Sequence, residues 1–198
     1  MSQFFESIRV QEGKAHELEA HQQRINRCLK VYKGEPLRLE NIAYKTDFPK
    51  TGLYKWRVQY GLAGVSQSIL SPYNPSQVVS MSIVTADHIS YQHKFEDRRA
   101  ISQLLKASEH SDIIMLKKGL ITDSSYANLV FFDGQQWLTP KTPMLPGTQR
   151  AVLLAQGSIL EADIRPETLD RFTVFKRINA LMTFETSPNL PIGLITSL

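Results

Sequence analysis

The apolar positions of this 198-residue chain change period several times, and each change marks an element. Phe4 to Val10 reads as a strand, closed by a turn at Glu12-Gly13 with Lys14. From Leu18 to about Tyr32 the residues Leu18, Ile25, Cys28, Leu29 and Tyr32 recur at helical spacing, and Gly34 followed by Pro36 ends that helix. Trp56 to Leu62 and Val78 to Val84 alternate well enough for strands, whereas the polar stretch Ser66 to Pro75 is twice broken by proline. Further on, Ile101, Leu104 and Leu105 share one face of a helix expected from about Lys94 to Glu109. Ile113 to Leu116 and Asn128 to Phe132 read as short buried strands, and Asp133-Gly134 makes a tight hairpin into residues 135–139. Ala151 to Ala155 reads as a buried helix after Pro146-Gly147, with Thr148 near its amino end. The stretch from Thr168 carries one helical turn, a short strand near Phe172 to Phe175, and a loop rich in Asn, Ser and Pro.

This is an alternating α/β (α+β) pattern without an internal repeat. A hinge near residues 85–93 divides it into a smaller N-terminal α/β lobe, 1–87, and a C-terminal α/β lobe, 88–198. With 42% apolar and 21% charged residues, the chain is long enough and ordinary enough to bury a core. The net charge of +4 comes from scattered Lys and Arg with no basic run interleaved with aromatics. That argues against nucleic acid, and a small anionic substrate fits the charge as well. The single Cys28 excludes an intrachain disulfide and a cysteine zinc site, and His16, His21, His88, His93 and His110 show no metal-ligand spacing, so no metal is expected. No apolar run approaches the roughly 18 residues of a membrane span, and the first residues lack a basic end followed by an apolar block. The expectation is a cytoplasmic protein with no membrane partner.

Three elements carry candidate chemistry. Lys94 supplies an amine, Asp123 a carboxylate, and Leu145-Pro146-Gly147-Thr148-Gln149-Arg150 a turn into helix-start amides suited to an anion. In that order they are what a pyridoxal phosphate site needs. Each has a plainer reading of its own: Lys94 as an exposed helix-start lysine, Asp123 as a turn residue, Arg24 as part of a solvated helix face, Pro146-Gly147 as only a turn.

Six collinear motifs extend the pattern, Lys94-x-x-x-Arg98, Thr122-Asp123-Ser124, Ala127-Asn128-Leu129, Leu138-Thr139-Pro140, Pro146 to Arg150 and Asn179-Ala180-Leu181-Met182, and two amino-terminal pieces precede them, Phe5-Glu6-Ser7-Ile8-Arg9-Val10 and His21-Gln22-Gln23-Arg24. Together they resemble the class IV aminotransferases, the fold type IV pyridoxal phosphate enzymes, and among them the 4-amino-4-deoxychorismate lyases. The resemblance implies a two-lobed fold with a trimmed N-terminal lobe, since the family has a leading strand pair before the element matching Phe5-Glu6-Ser7. It also implies a homodimer, pyridoxal 5'-phosphate as cofactor, and Lys94 as the catalytic Schiff-base lysine. By the same resemblance Asp123, standing where the family usually has glutamate, faces the pyridine nitrogen; Arg24, Thr148 and Gln149 hold the phosphate. Asn179 stands where transaminases often have Gly-Thr-Ala, which favours the lyase. Ser7, Arg9, Arg57 and Tyr60 are candidates for the substrate side, two arginines suiting a dicarboxylic substrate. The implied activity releases pyruvate from 4-amino-4-deoxychorismate to leave 4-aminobenzoate, a folate precursor. A branched-chain or D-amino-acid transaminase and a trimmed non-catalytic relative are the alternatives.

Overall fold

The computed structural model describes residues 3–196, which form two compact units. One unit runs up to Pro75 and takes back His93–Asp97; the other comprises Ser76–Gln92 and the chain from Arg98 onward. Relative to a boundary at 87/88, residues 76–87 thus belong with the second unit. Lys94 belongs with the first.

The first unit is a four-stranded antiparallel sheet and a helix. Its elements are β1 (Phe4–Gln11), β2 (Lys14–Ala15), α1 (Leu18–Tyr32), the short α2 (Leu39–Ala43), β3 (Leu53–Gly61) and β4 (Gly64–Pro72), with strand order β2-β1-β3-β4. Because strand side chains alternate, Phe4, Ile8 and Val10 enter one core with Trp56, Val58 and Tyr60, and α1 adds Ile25, Cys28 and Leu29. Each such large side chain contributes about 1.5–3 kcal/mol on burial. The alternate residues Phe5, Ser7 and Arg9 take the opposite face, across from Gln59, Arg57 and Lys55 in register. α1 ends where Lys33 turns left-handed and the Gly34 amide reaches the Leu29 carbonyl at 2.9 Å. A Cβ on Gly34 would lie 2.7 Å from the Leu29 side chain, so close approach requires glycine there. The polar stretch after Ser66 is β4, an edge strand. An edge tolerates polar residues on both faces, and Pro72 stands at its very end.

Lys94 is not helical. The Phe5 amide donates to the Lys94 carbonyl at 3.0 Å, Phe95 bridges Phe4, and the Glu96 amide donates to the Gln3 carbonyl at 2.9 Å. These bonds to β1 hold the segment extended, and the following helix, α3 (Arg99–Ala107), begins five residues after Lys94.

The second unit is built on one large mixed sheet. Its strands are β5 (Met81–Thr85), β6 (Asp112–Lys117), β7 (Leu120–Ser124), β8 (Asn128–Phe132), β9 (Trp137–Pro140), β10 (Leu160–Ala162), β11 (Val174–Ile178), β12 (Leu190–Pro191) and β13 (Ile195–Thr196). The order is β10-β9-β8-β7-β6-β5-β13, with β11 antiparallel to β8 and β12 on β11. Helix α4 (Thr148–Ala155) follows β9. The register pairs Asp123 with Asn128 and Asn128 with Ile178, so Asp123, Asn128 and Asn179 gather at one end of β7, β8 and β11. Ile83, Ile114, Leu129, Phe131 and Phe175 fill the core behind them. Among the described residues no helix is long and apolar enough to cross a membrane.

Candidate active site

In the second unit Asp123 is buried at the end of β7. Its Oδ1 accepts from Asn128 Nδ2 at 2.7 Å and its Oδ2 from the Leu145 amide at 2.8 Å. Burial pushes its pKa up from 3.8 to about 6, against the opposing pull of those two donors and of the Arg150 charge. Arg150 is itself engaged with the Pro140 carbonyl at 2.9 Å and Glu161 at 2.6 Å. Asp123 is therefore a desolvated carboxylate held by neutral donors, and a cation brought against it would be favoured.

Residue 145 leads straight into α4, whose first residues Thr148, Gln149 and Arg150 are buried. Gly147 is its N-cap and no side chain caps it, so the first-turn amides are not satisfied by a capping group. Asn179 folds back on its own turn. Its Oδ1 accepts from the Leu181 and Met182 amides at 2.8 and 2.9 Å, and its Nδ2 donates to the Tyr126 carbonyl at 3.2 Å. Its side chain shapes the loop beside Asp123.

The first unit carries the other candidates. Lys94 is half-buried, with Nζ 4.8 Å from the centre of the Phe5 ring, and Arg57 lies over the same ring at 3.8 Å. Arg57 also meets Glu96 at 3.4 Å. On the core face of β1, the buried Glu6 accepts from Arg24 Nε at 3.0 Å, from Arg24 Nη2, and from His21 Nδ1 at 2.6 Å. Burial works to raise the Glu6 pKa, but the Arg24 charge and the bonds from His21 and Arg24 outweigh it and bring the group from 4.5 down to about 2. The His21 pKa is lowered by burial and by the charges of Arg24 and Lys94, against the pull of Glu6. A neutral imidazole beside an ionised carboxylate carries its proton on Nδ1. His21 Nε2 is then, among the described residues, a buried acceptor without a partner.

Ser7, Arg9 and Arg57 share the outer sheet face. Tyr60 does not join them. Three residues from Arg57, it points to the opposite side of β3, 1% exposed in the core and 5.6 Å from the Phe4 ring. Burial pushes its phenol pKa upward. It is a core residue. Glu6, His21 and Asn128 occur in the sequence motifs without an assigned role. The signal was present in Glu6, a charged residue on the inward phase of a strand that is otherwise apolar there.

Residues 75–184 match the family model for amino-transferase class IV. An uncharacterised protein of Haemophilus influenzae is 34% identical over 186 residues, 91% of this chain and 98% of that protein. The chain belongs to the class IV aminotransferase family. A solved protein from Haemophilus somnus, provisionally named a 4-amino-4-deoxychorismate lyase, is 34% identical with a TM-score of 0.82, over 93% of this chain and 98% of that one. A hypothetical aminotransferase from Mycobacterium tuberculosis, solved with pyridoxal phosphate bound, shares the fold at a TM-score of 0.75 and 17% identity, over 95% of this chain and 80% of that one. The family is pyridoxal-phosphate-dependent.

Proposed function

We propose that this protein is a pyridoxal-phosphate-dependent lyase that eliminates pyruvate from 4-amino-4-deoxychorismate to give 4-aminobenzoate. The observation that carries the reading is Asp123, a buried carboxylate with its pKa raised to about 6 whose bonded donors, among the described residues, are neutral. A protonated pyridine nitrogen supplies the cation that this carboxylate lacks. The start of α4, buried and uncapped by a side chain, suits a phosphate. The residues fit the cofactor at both ends.

When bound, pyridoxal phosphate supplies an electron sink for bond breaking at the amine-bearing carbon of the substrate. Asp123 keeps the proton on the ring nitrogen. The Thr148 and Gln149 amides would take the phosphate beside the loop that Asn179 shapes, whereas Arg24, which the resemblance assigns to the phosphate, is bonded to Glu6 in the first unit. Lys94 Nζ, the lysine that the resemblance assigns, would hold the cofactor and take the proton from the amine-bearing carbon. The ether bond to the enolpyruvyl group then breaks, and a proton returned to enolpyruvate gives pyruvate. Ser7, Arg9 and Arg57 offer the outer sheet face to the substrate carboxylates. The choice of lyase over transaminase rests on the Asn179-Ala180-Leu181-Met182 turn and on the provisional name of the 34% identical Haemophilus somnus protein.

Incubation of the cofactor-loaded protein with 4-amino-4-deoxychorismate is expected to release 4-aminobenzoate and pyruvate in equal amounts, and Lys94→Ala to abolish both. Turnover that depends on an added 2-oxoacid and yields an amino acid would replace the lyase by a transaminase. Neither product from a protein with bound cofactor would end the proposal.

A further inference from the structure

One side chain ties the end of β7 to the segment that enters α4 in a way that the strand ladder does not require. Asn128 opens β8 opposite Asp123. Its Nδ2 donates one hydrogen to Asp123 Oδ1 at 2.7 Å and the other to the Leu145 carbonyl at 2.9 Å. The Leu145 amide in turn donates to Asp123 Oδ2 at 2.8 Å, closing a ring of three residues. Both acceptors are bare oxygens, so only one orientation of the carboxamide satisfies them.

That orientation turns Oδ1 toward Gly147. A Cβ on Gly147 would lie 1.9 Å from Asn128 Oδ1 and 3.1 Å from its Cγ. Gly147 has φ −72° and ψ 148°, a conformation open to any residue. Backbone freedom is therefore not why glycine stands there; room for the Asn128 carboxamide is.

We infer that Asn128 is a positioning residue that holds the Asp123 carboxylate and the first turn of α4 in one fixed relation, and that Gly147 is the socket in which it does so. Resting on the proposed cofactor, this makes one side chain fix the distance between the group that meets the ring nitrogen and the amides that meet the phosphate. Asn128 touches neither reacting atom and acts through Asp123. Alanine at 128 has no donor and makes neither bond. Alanine at 147 has no place for its methyl group while the carboxamide stays pinned.

The two substitutions should therefore produce the same defect, and only once. In cofactor-free protein, a ¹³C NMR titration of the Asp123 carboxyl follows the clasp directly. Loss of one donor to the carboxylate in Asn128→Ala is expected to raise the midpoint by about one unit, the worth of one hydrogen bond. Gly147→Ala, which expels the carboxamide, should raise it as much, and the double variant no more than either. The affinity for pyridoxal phosphate, read by absorbance, should fall about tenfold in each single variant and no further in the double, since about 1.4 kcal/mol corresponds to a factor of ten. An unmoved Asp123 midpoint, or rises that add, overturns the inference. Should Gly147→Ala unfold, folding regained in the double variant supports the clasp, and folding not regained refutes it. A wild-type protein that binds no pyridoxal phosphate would sink the proposed function, while the Asp123 titration would still decide the clasp.

Discussion

Glu6 in the first unit and Asp123 in the second are both buried carboxylates, yet their protons behave in opposite ways. Glu6 is brought down to about 2, Asp123 is pushed up to about 6, and desolvation is the largest influence on each. The difference lies in the partners. Glu6 has a guanidinium on one edge and an imidazole N–H beside it, while Asp123 has a backbone amide, a carboxamide and an arginine already committed elsewhere. A full opposite charge offsets desolvation; neutral donors only soften it. The first carboxylate is a completed structural element. The second has its charge opposed by burial and met by neutral donors, the environment on which the proposed cofactor site rests.

The most severe way to break the comparison is to remove the cation from Glu6. Arg24→Met is expected to destabilise the protein by about 3–5 kcal/mol in urea unfolding, because the carboxylate stays buried without its charge partner. Adding Glu6→Gln to that variant should recover part of the loss. A cost under about 1 kcal/mol would show that the pair does not hold the unit together.

Titration sharpens the comparison next. The depressed pKa of Glu6 contributes stability above its unfolded value of 4.5, on the order of 3 kcal/mol, which is lost as pH falls toward 2. Asp123 has the opposite sign. Its raised pKa leaves the cofactor-free protein unpenalised below 3.8, and stability on the order of 3 kcal/mol is lost as pH rises through 6. Asp123→Asn should therefore flatten the stability profile of cofactor-free protein between about pH 4 and 6, leaving the acid limb intact. An unchanged slope in that window would mean that Asp123 titrates normally.

The smallest effect on stability is expected at the outer sheet face. The Arg57–Glu96 pair is 27% and 34% exposed at 3.4 Å, so Arg57→Ala should change stability by less than about 1 kcal/mol. If that face meets the substrate carboxylates, KM should nonetheless rise about tenfold, the worth of one charged contact. An unchanged KM would remove Arg57 from the substrate side.

Local pattern carried much of the fold. The periodicity of Leu18, Ile25, Cys28, Leu29 and Tyr32 matches α1, and Gly34 ends it. The strand at Phe4–Gln11 and the turn after it follow from alternation and from Glu12-Gly13. Tyr60 was legible too: 57 and 60 differ by an odd number, so on one strand they face opposite ways. The segment at Lys94 was not, because its extended form comes from bonds to β1, some ninety residues earlier in the chain. Nor was β4, whose polar sequence makes a strand only because β3 lies beside it.

The sequence by itself determined the residue types, their order along the chain and the short-range periods, which was enough to point to a family and to name an amine, a carboxylate and an anion-binding turn. Tertiary structure decided which charges found partners: it joined Arg24 and His21 to Glu6 and left Asp123 with neutral donors. Propensity and period act over a few residues, where the chain alone suffices. Desolvation and charge pairing depend on what the fold brings within a few ångströms, and only packing sets that.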